Sequence, residues 1–244
     1  MNSRLAFLVK GELIRLHKYN ITSVSIIVAI LWGIMLYFVN TAVFDTMLPI
    51  LVMMDASMMA LMFVGSVMFF EKSESTISTM LVTPVTNREL LVSKLIANVA
   101  HNIIASLLLV IVFVFVKDVQ INFIILFLGI LVCTSSFTLA GIILSYFSKD
   151  FMGLLMFVFV IMITLAVPFV LLMLDIISGP VWENILMFSP LQAAQEIINA
   201  GFKGYEFTYR YFVSFGLLFF GGIFGYYFYA LPKFQDYAVK QSGV

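Results

Sequence analysis

Asp55 is the only charged residue in the long apolar run Met47–Phe70. Holding a carboxylate at membrane depth costs about 2.5–3.5 kcal/mol on insertion scales, and such a group turns to a partner or a cavity. At helical spacing, Met58, Met59, Met62 and Ser66 share its face. Seven of the fifteen methionines lie in this run, and flexible, polarizable thioethers suit a surface that fits varied apolar ligands. One reading makes Asp55, Met58, Met59, Met62 and Ser66 a translocation-path face, with Asp55 attracting cationic groups. The other makes them a packing seam, with Asp55 hydrogen-bonded inside a helix bundle. The sequence supports both equally.

Other polar groups inside apolar runs point to packing. His101, with Asn98 and Asn102 nearby, fits a hydrogen-bonded packing residue better than a proton relay. His17 lies far from it in sequence, so no metal pair is indicated. Cys133, beside Thr134, Ser135 and Ser136, reads as a small residue that lets helices approach closely. There is no Gly-x-Ser-x-Gly, no His-Glu-x-x-His and no second intramembrane carboxylate to partner Asp55. Aspartyl chemistry needs that second acid, so no catalytic residue and no metal site is assigned. A Gly-x-x-x-x-Gly-Lys-Ser/Thr phosphate cradle is also missing.

These residues must be held by membrane helices. The chain has 244 residues, 63% hydrophobic and 11% charged, with a mean hydropathy of +1.12. Soluble domains run roughly 45–50% apolar and 25% charged. Thirteen basic and thirteen acidic residues cancel, so no net field draws nucleic acid. One cysteine excludes a disulfide scaffold. A spanning helix needs about 20 mostly apolar residues. Six runs qualify: Ile21–Val39, Met47–Phe70, Leu95–Val116, Ile121–Phe147, Phe151–Leu174 and Tyr211–Leu231, the last expected to stop at Pro232. The runs are long and continuous rather than alternating, which excludes a barrel. The first run lacks a small-residue cleavage site and is read as a retained span. The fold class expected is all-α, a polytopic single transmembrane domain over residues 1–244.

Six spans put both termini on one side. That side carries Arg4, Lys10, Arg15, Lys18, Lys72, Arg88, Lys94, Lys149, Lys233 and Lys240, while the other has only Lys117, Lys203 and Arg210. The basic excess places both termini in the cytoplasm.

Three segments exceed simple connectors. In residues 1–20, Leu5, Val9, Leu13 and Leu16 share one helical face, with Arg4, Arg15 and Lys18 opposite; this is an interfacial helix. In residues 71–94, Ile77, Met80 and Leu81 form an apolar stripe, Pro84 breaks the helix, and Thr86 and Glu89 have capping-box spacing for the next one. The stripe either docks on a soluble partner or packs back on the spans, and the pattern alone favours packing. In residues 176–210, two short apolar helices separated by Ser189-Pro190 form an outer re-entrant or interfacial hairpin. Backbone at that depth must pack on protein or line a cavity.

These parts, in this order, resemble over the whole chain the six-span permease subunit of type-2 ABC (ABC-2) exporters. The most specific match is Glu71, then Leu81-Val82-Thr83-Pro84, then Glu89-Leu90-Leu91-Val92-Ser93-Lys94. It resembles the family's acidic residue at the membrane edge, coupling helix, turn and entry to the third span. Ser189-Pro190-Leu191 resembles the turn before the last span. Among subfamilies, the small bacterial permeases of the fluoroquinolone-exporter type look most similar. The resemblance implies a permease, not an enzyme, in a bacterial inner membrane. ATP hydrolysis would lie on a separate ABC ATPase, which would carry ATP and Mg, with no cofactor on this chain. It implies a second permease subunit, identical or not, and membrane lipid as partners, with no nucleic acid. Glu71, Ile77, Met80, Leu81 and Pro84 would couple to the ATPase, and a hydrophobic or amphipathic substrate (drug, lipid or peptide) would cross by alternating access. A non-transporting scaffold or immunity subunit would show the same spans, and an intramembrane enzyme is a more distant alternative.

Overall fold

A computed structural model describes residues 2–38, 41–81, 83–116, 119–148, 150–202 and 204–239. Val39, Val82, Lys117, Lys149, Lys203 and Lys240, on which expectations above fall, lie outside the described residues, as does the side chain of Leu81.

The described residues form helices joined by short turns, as continuous apolar runs require when backbone groups must be satisfied without water. In chain order they are α1 (Asn2–Lys18), α2 (Ile21–Tyr37), α3 (Thr41–Met54), a π-helical turn (Asp55–Met59), α4 (Ala60–Ser73), α5 (Thr76–Leu81), α6 (Asn87–Val116) and α7 (Phe123–Ser145). There follow α8 (Phe151–Met173), α9 (Pro180–Leu186), α10 (Pro190–Asn199), α11 (Tyr209–Gly225), a second π-helical turn (Tyr226–Ala230) and α12 (Leu231–Val239). Five continuous elements are long and apolar enough to cross a membrane: Met47–Ser73, Asn87–Phe115, Phe123–Ser145, Phe151–Met173 and Tyr209–Ala238. The first expected span is α2, which qualifies only together with α1. The pair is bent by 61° at Asn20, whose φ of 61° is the left-handed conformation that ends helices and that Asn tolerates. The all-α polytopic architecture holds, and the bend supplies the change of direction an interfacial helix needs.

Two expectations are corrected. Pro232 does not end the last span, because the helix runs on through α12. Proline lacks an N–H and its ring crowds the carbonyl four residues back; the π-helical turn just before it widens the helix where that conflict falls. Nor is α1 divided as the wheel suggested. Glu12 and Leu16 are buried, Leu13 is 38% exposed, and Arg15 reaches inward to carboxylates on both α1 and α4.

The main core joins α3, α4, α6, α7 and α10. Contact between α4 and α7 is set by Gly141, where a Cβ would stand 2.4 Å from the Leu61 carbonyl oxygen. No side chain fits there, so the helices meet backbone to backbone. In the hairpin of α9 and α10, α10 buries Leu191, Ala193, Ala194, Ile197 and Ile198 in this core. Ala194 lies beside Cys133, about 15 Å along α7 from Phe123. α10 thus enters the bundle without crossing it. A second core beneath the first joins α4, α5, α6, α7 and α12 through Val64, Met68, Ile77, Leu90, Phe234 and Tyr237.

Candidate functional site

Four charged side chains converge where α1, α4 and α6 meet. Glu12 lies on the inward stripe of α1, Glu71 in the last turn of α4, and Lys94 two turns into α6. Thr86 starts α6 with a reciprocal cap: its amide donates to Glu89 Oε2 (2.9 Å) and the Glu89 amide donates to Thr86 Oγ1 (3.2 Å). The capping box is as expected, and it fixes where Lys94 falls. Lys94 Nζ donates to Glu12 Oε1 at 2.9 Å and to Glu71 Oε2. Arg15 Nη1 donates to Glu12 Oε1 at 2.7 Å and to Glu71 Oε1 at 2.8 Å. Glu71 is 0% exposed, and Glu12 and Lys94 are each 3% exposed. Two anions and two cations in so dry a site are tolerable only because each is paired.

A polar seam continues from Lys94 along α6. Lys94, Asn98, Asn102 and Ser106 recur every fourth residue and are all buried. Asn98 Nδ2 donates to the Ala60 carbonyl (3.0 Å) and to Thr138 Oγ1 (2.8 Å). Asn102 Nδ2 donates to the Asn98 carbonyl at 2.8 Å, and Ser106 Oγ donates to Asp55 Oδ2. From Lys94 to Ser106 the seam rises about 18 Å. Asp55 opens the first π-helical turn, the irregularity that often marks functional positions within helices. His101 lies beside the seam, edge-on to Phe63 at 5.9 Å, and its Nδ1 has no partner among the described residues.

Asp55 is therefore hydrogen-bonded inside the bundle, as in the packing reading. Met58, Met59, Met62 and Ser66 are half-buried, and Met58 and Met62 pack against the main core. At the end of the same span away from the ion cluster, α3, α8 and α10 border a cavity of about 280 Å³ lined by Ile50, Phe169, Gln192 and Gln195 among others. The Oε1 atoms of Gln192 and Gln195 have no partner among the described residues. Nearby, Tyr205 donates to Glu196 Oε1 at 2.8 Å; partial burial and that carboxylate push its phenol above its ordinary range.

The expected coupling residues separate. Ile77 is 1% exposed and packs into the second core. Met80 is half-buried, with Sδ 3.9 Å from Arg15 Nη2. Pro84 is exposed, together with Thr79 and Thr83. The outward face of this hairpin is thus polar and Pro-turned, while its apolar stripe at Ile77 points inward. Glu71 is sealed within the ion cluster.

The model of the ABC-2 type transporter family matches residues 4–203. The chain belongs to the ABC-2 type transporter family. No curated protein and no solved structure matches it. It is a multi-pass membrane protein and a permease component of an ABC transporter. Within this ABC-2 chain, the matched region takes in the ion cluster, the seam, Asp55, the α5 hairpin and most of the outer hairpin; α11, the second π-helical turn and α12 lie beyond it. The sequence reading missed Glu12 and Arg15 as partners of Glu71 and Lys94, and it missed Ser106 as the partner of Asp55. The four-residue recurrence of Lys94, Asn98, Asn102 and Ser106 was the signal that pointed to the seam.

Proposed function

We propose that the chain is the permease subunit of an exporter that moves a hydrophobic or amphipathic substrate by alternating access. ATP is hydrolysed, with Mg²⁺, on a separate ABC ATPase that meets the exposed face of the α5 hairpin. Two permease subunits assemble per transporter, in a bacterial inner membrane with both termini cytoplasmic. The observation that carries this reading is the buried ion cluster. It ties the interfacial helix, the end of the second span and the start of the third into one block behind α5, so that force on the hairpin moves all three together. The polar seam links that block to Asp55. Asp55, Met58, Met59, Met62 and Ser66 then border the path, whose outer part is the amide-lined cavity of α3, α8 and α10. Thr79, Thr83 and Pro84 present the contact to the ATPase, Ile77 and Met80 transmit it inward, and Leu81 and Glu71 complete the coupling set.

The test is co-expression with a candidate ABC ATPase from the same genome, purification of the complex, and a substrate screen on stimulated ATP hydrolysis. Stimulation by amphipathic compounds is expected. A complex whose hydrolysis no compound alters, and which transports nothing in vesicles, would favour the non-transporting scaffold.

A further inference from the structure

A second cavity, of about 400 Å³, lies between α6, α7 and α11, away from the proposed path. Its volume falls within the roughly 300–1,000 Å³ of small-molecule sites. Its walls are largely apolar, from Leu95, Leu131, Leu139 and Phe219, with Ser135 and Ser136 among them. At one end stand Arg88 and Tyr226. Arg88 is exposed at the start of α6, and no carboxylate among the described residues pairs with it. Arg88 interacts with the Tyr226 phenol both by its charge and as a hydrogen-bond donor. Tyr226 is 8% exposed, and its phenol proton has no acceptor among the described residues.

Leaving a buried phenol proton without an acceptor is unfavourable, so a missing acceptor is indicated. The cavity adjoins a surface where Phe219, Ile223 and Tyr227 are each 40% or more exposed, an apolar face of a spanning helix that acyl chains can cover. Arg88 sits six residues before Lys94, at the same end of the bundle as the ion cluster. That is the level of lipid phosphates, and basic pockets between membrane helices capture anionic headgroups. We propose that this cavity is a binding site for one anionic phospholipid, an acyl chain lying along α7 and α11 and its phosphate accepting hydrogen bonds from Arg88 and Tyr226. The site requires a bilayer but neither the ATPase nor the transport reading, so each can fail alone.

The test is native mass spectrometry of the full chain, released from membranes with an equal mixture of phosphatidylglycerol and phosphatidylcholine. One phosphatidylglycerol should be retained about fivefold over phosphatidylcholine, the preference one basic residue supplies near a headgroup. Arg88→Gln should bring the ratio near parity and Arg88→Lys should keep most of it. Arg210→Gln, at the opposite end of the bundle, should leave it unchanged. Gly222→Leu fills the cavity, since even its Cβ would stand 3.2 Å from Ser136 Oγ, and should lower retention of both lipids. Ser135→Leu should do the same if Gly222→Leu does not fold. Equal retention of the two lipids by the unmodified chain, or a preference that survives Arg88→Gln, overturns the proposal.

Discussion

Lys94 on α6 and Glu71 at the end of α4 form a buried ion pair, with exposures of 3% and 0%. Breaking one partner of a buried pair costs about 3–5 kcal/mol, because the other charge is left uncompensated. Lys94→Met should therefore lower stability by about that amount, read as a fall in melting temperature of the detergent-purified chain. Lys94→Met combined with Glu71→Leu should lose less than the sum of the two single changes. Strict additivity would show that the pair is not energetically coupled.

Gly141 sets the closest backbone approach between α4 and α7. A methyl there meets the Leu61 carbonyl oxygen, which cannot rotate away. Gly141→Ala should cost about 1–3 kcal/mol, the range for overpacking. Gly221→Ala, where nothing lies within 4 Å of the added carbon, is the control and should leave the melt within about 0.5 kcal/mol, as surface changes do.

At Asp55, an amide still accepts the Ser106 hydrogen bond but carries no charge. Asp55→Asn should leave melting nearly unchanged while reducing stimulation of ATP hydrolysis by cationic substrates more than by neutral ones. Ser106→Ala leaves the carboxylate without its partner and should destabilise by about 1–3 kcal/mol. Equal loss of response to cationic and neutral substrates in Asp55→Asn would restrict Asp55 to packing.

The topology is checked by labelling. Cys133 is fully buried and should resist aqueous thiol reagents. In a Cys133→Ala background, cysteines placed at Ser75 and Tyr205 should label from opposite sides. Labelling from the same side would contradict the arrangement of spans.

What was legible in the sequence was whatever local spacing determines. The apolar runs, the Thr86–Glu89 cap, the break at Pro84 and the two-helix outer hairpin each follow from residues within a few positions of one another. The ion cluster does not. Glu12 and Lys94 are 82 residues apart, and a helical wheel assigns every charge of an interfacial helix to water, so Arg15 was placed on the wrong face. Asp55 was singled out by its isolation, but its partner Ser106 is an ordinary serine on another span. Pro232 misled for a different reason. A proline inside a helix is penalised only where the regular pattern persists, and the π-helical turn ahead of it has no simple sequence signature.

In the proposed function, the exposed face of the α5 hairpin receives an ABC ATPase and the ion cluster behind it passes the movement on. Co-purification tests it most directly. Thr79 is exposed on α5, away from the inward-facing Ile77, so Thr79→Trp should leave insertion and melting unaltered while blocking the contact. Leu81→Asp, within the same hairpin, should act likewise. Both variants should reach the membrane at normal levels and lose the co-expressed ATPase during purification. If both variants instead retain the ATPase with full substrate-stimulated hydrolysis, the hairpin is not the coupling element.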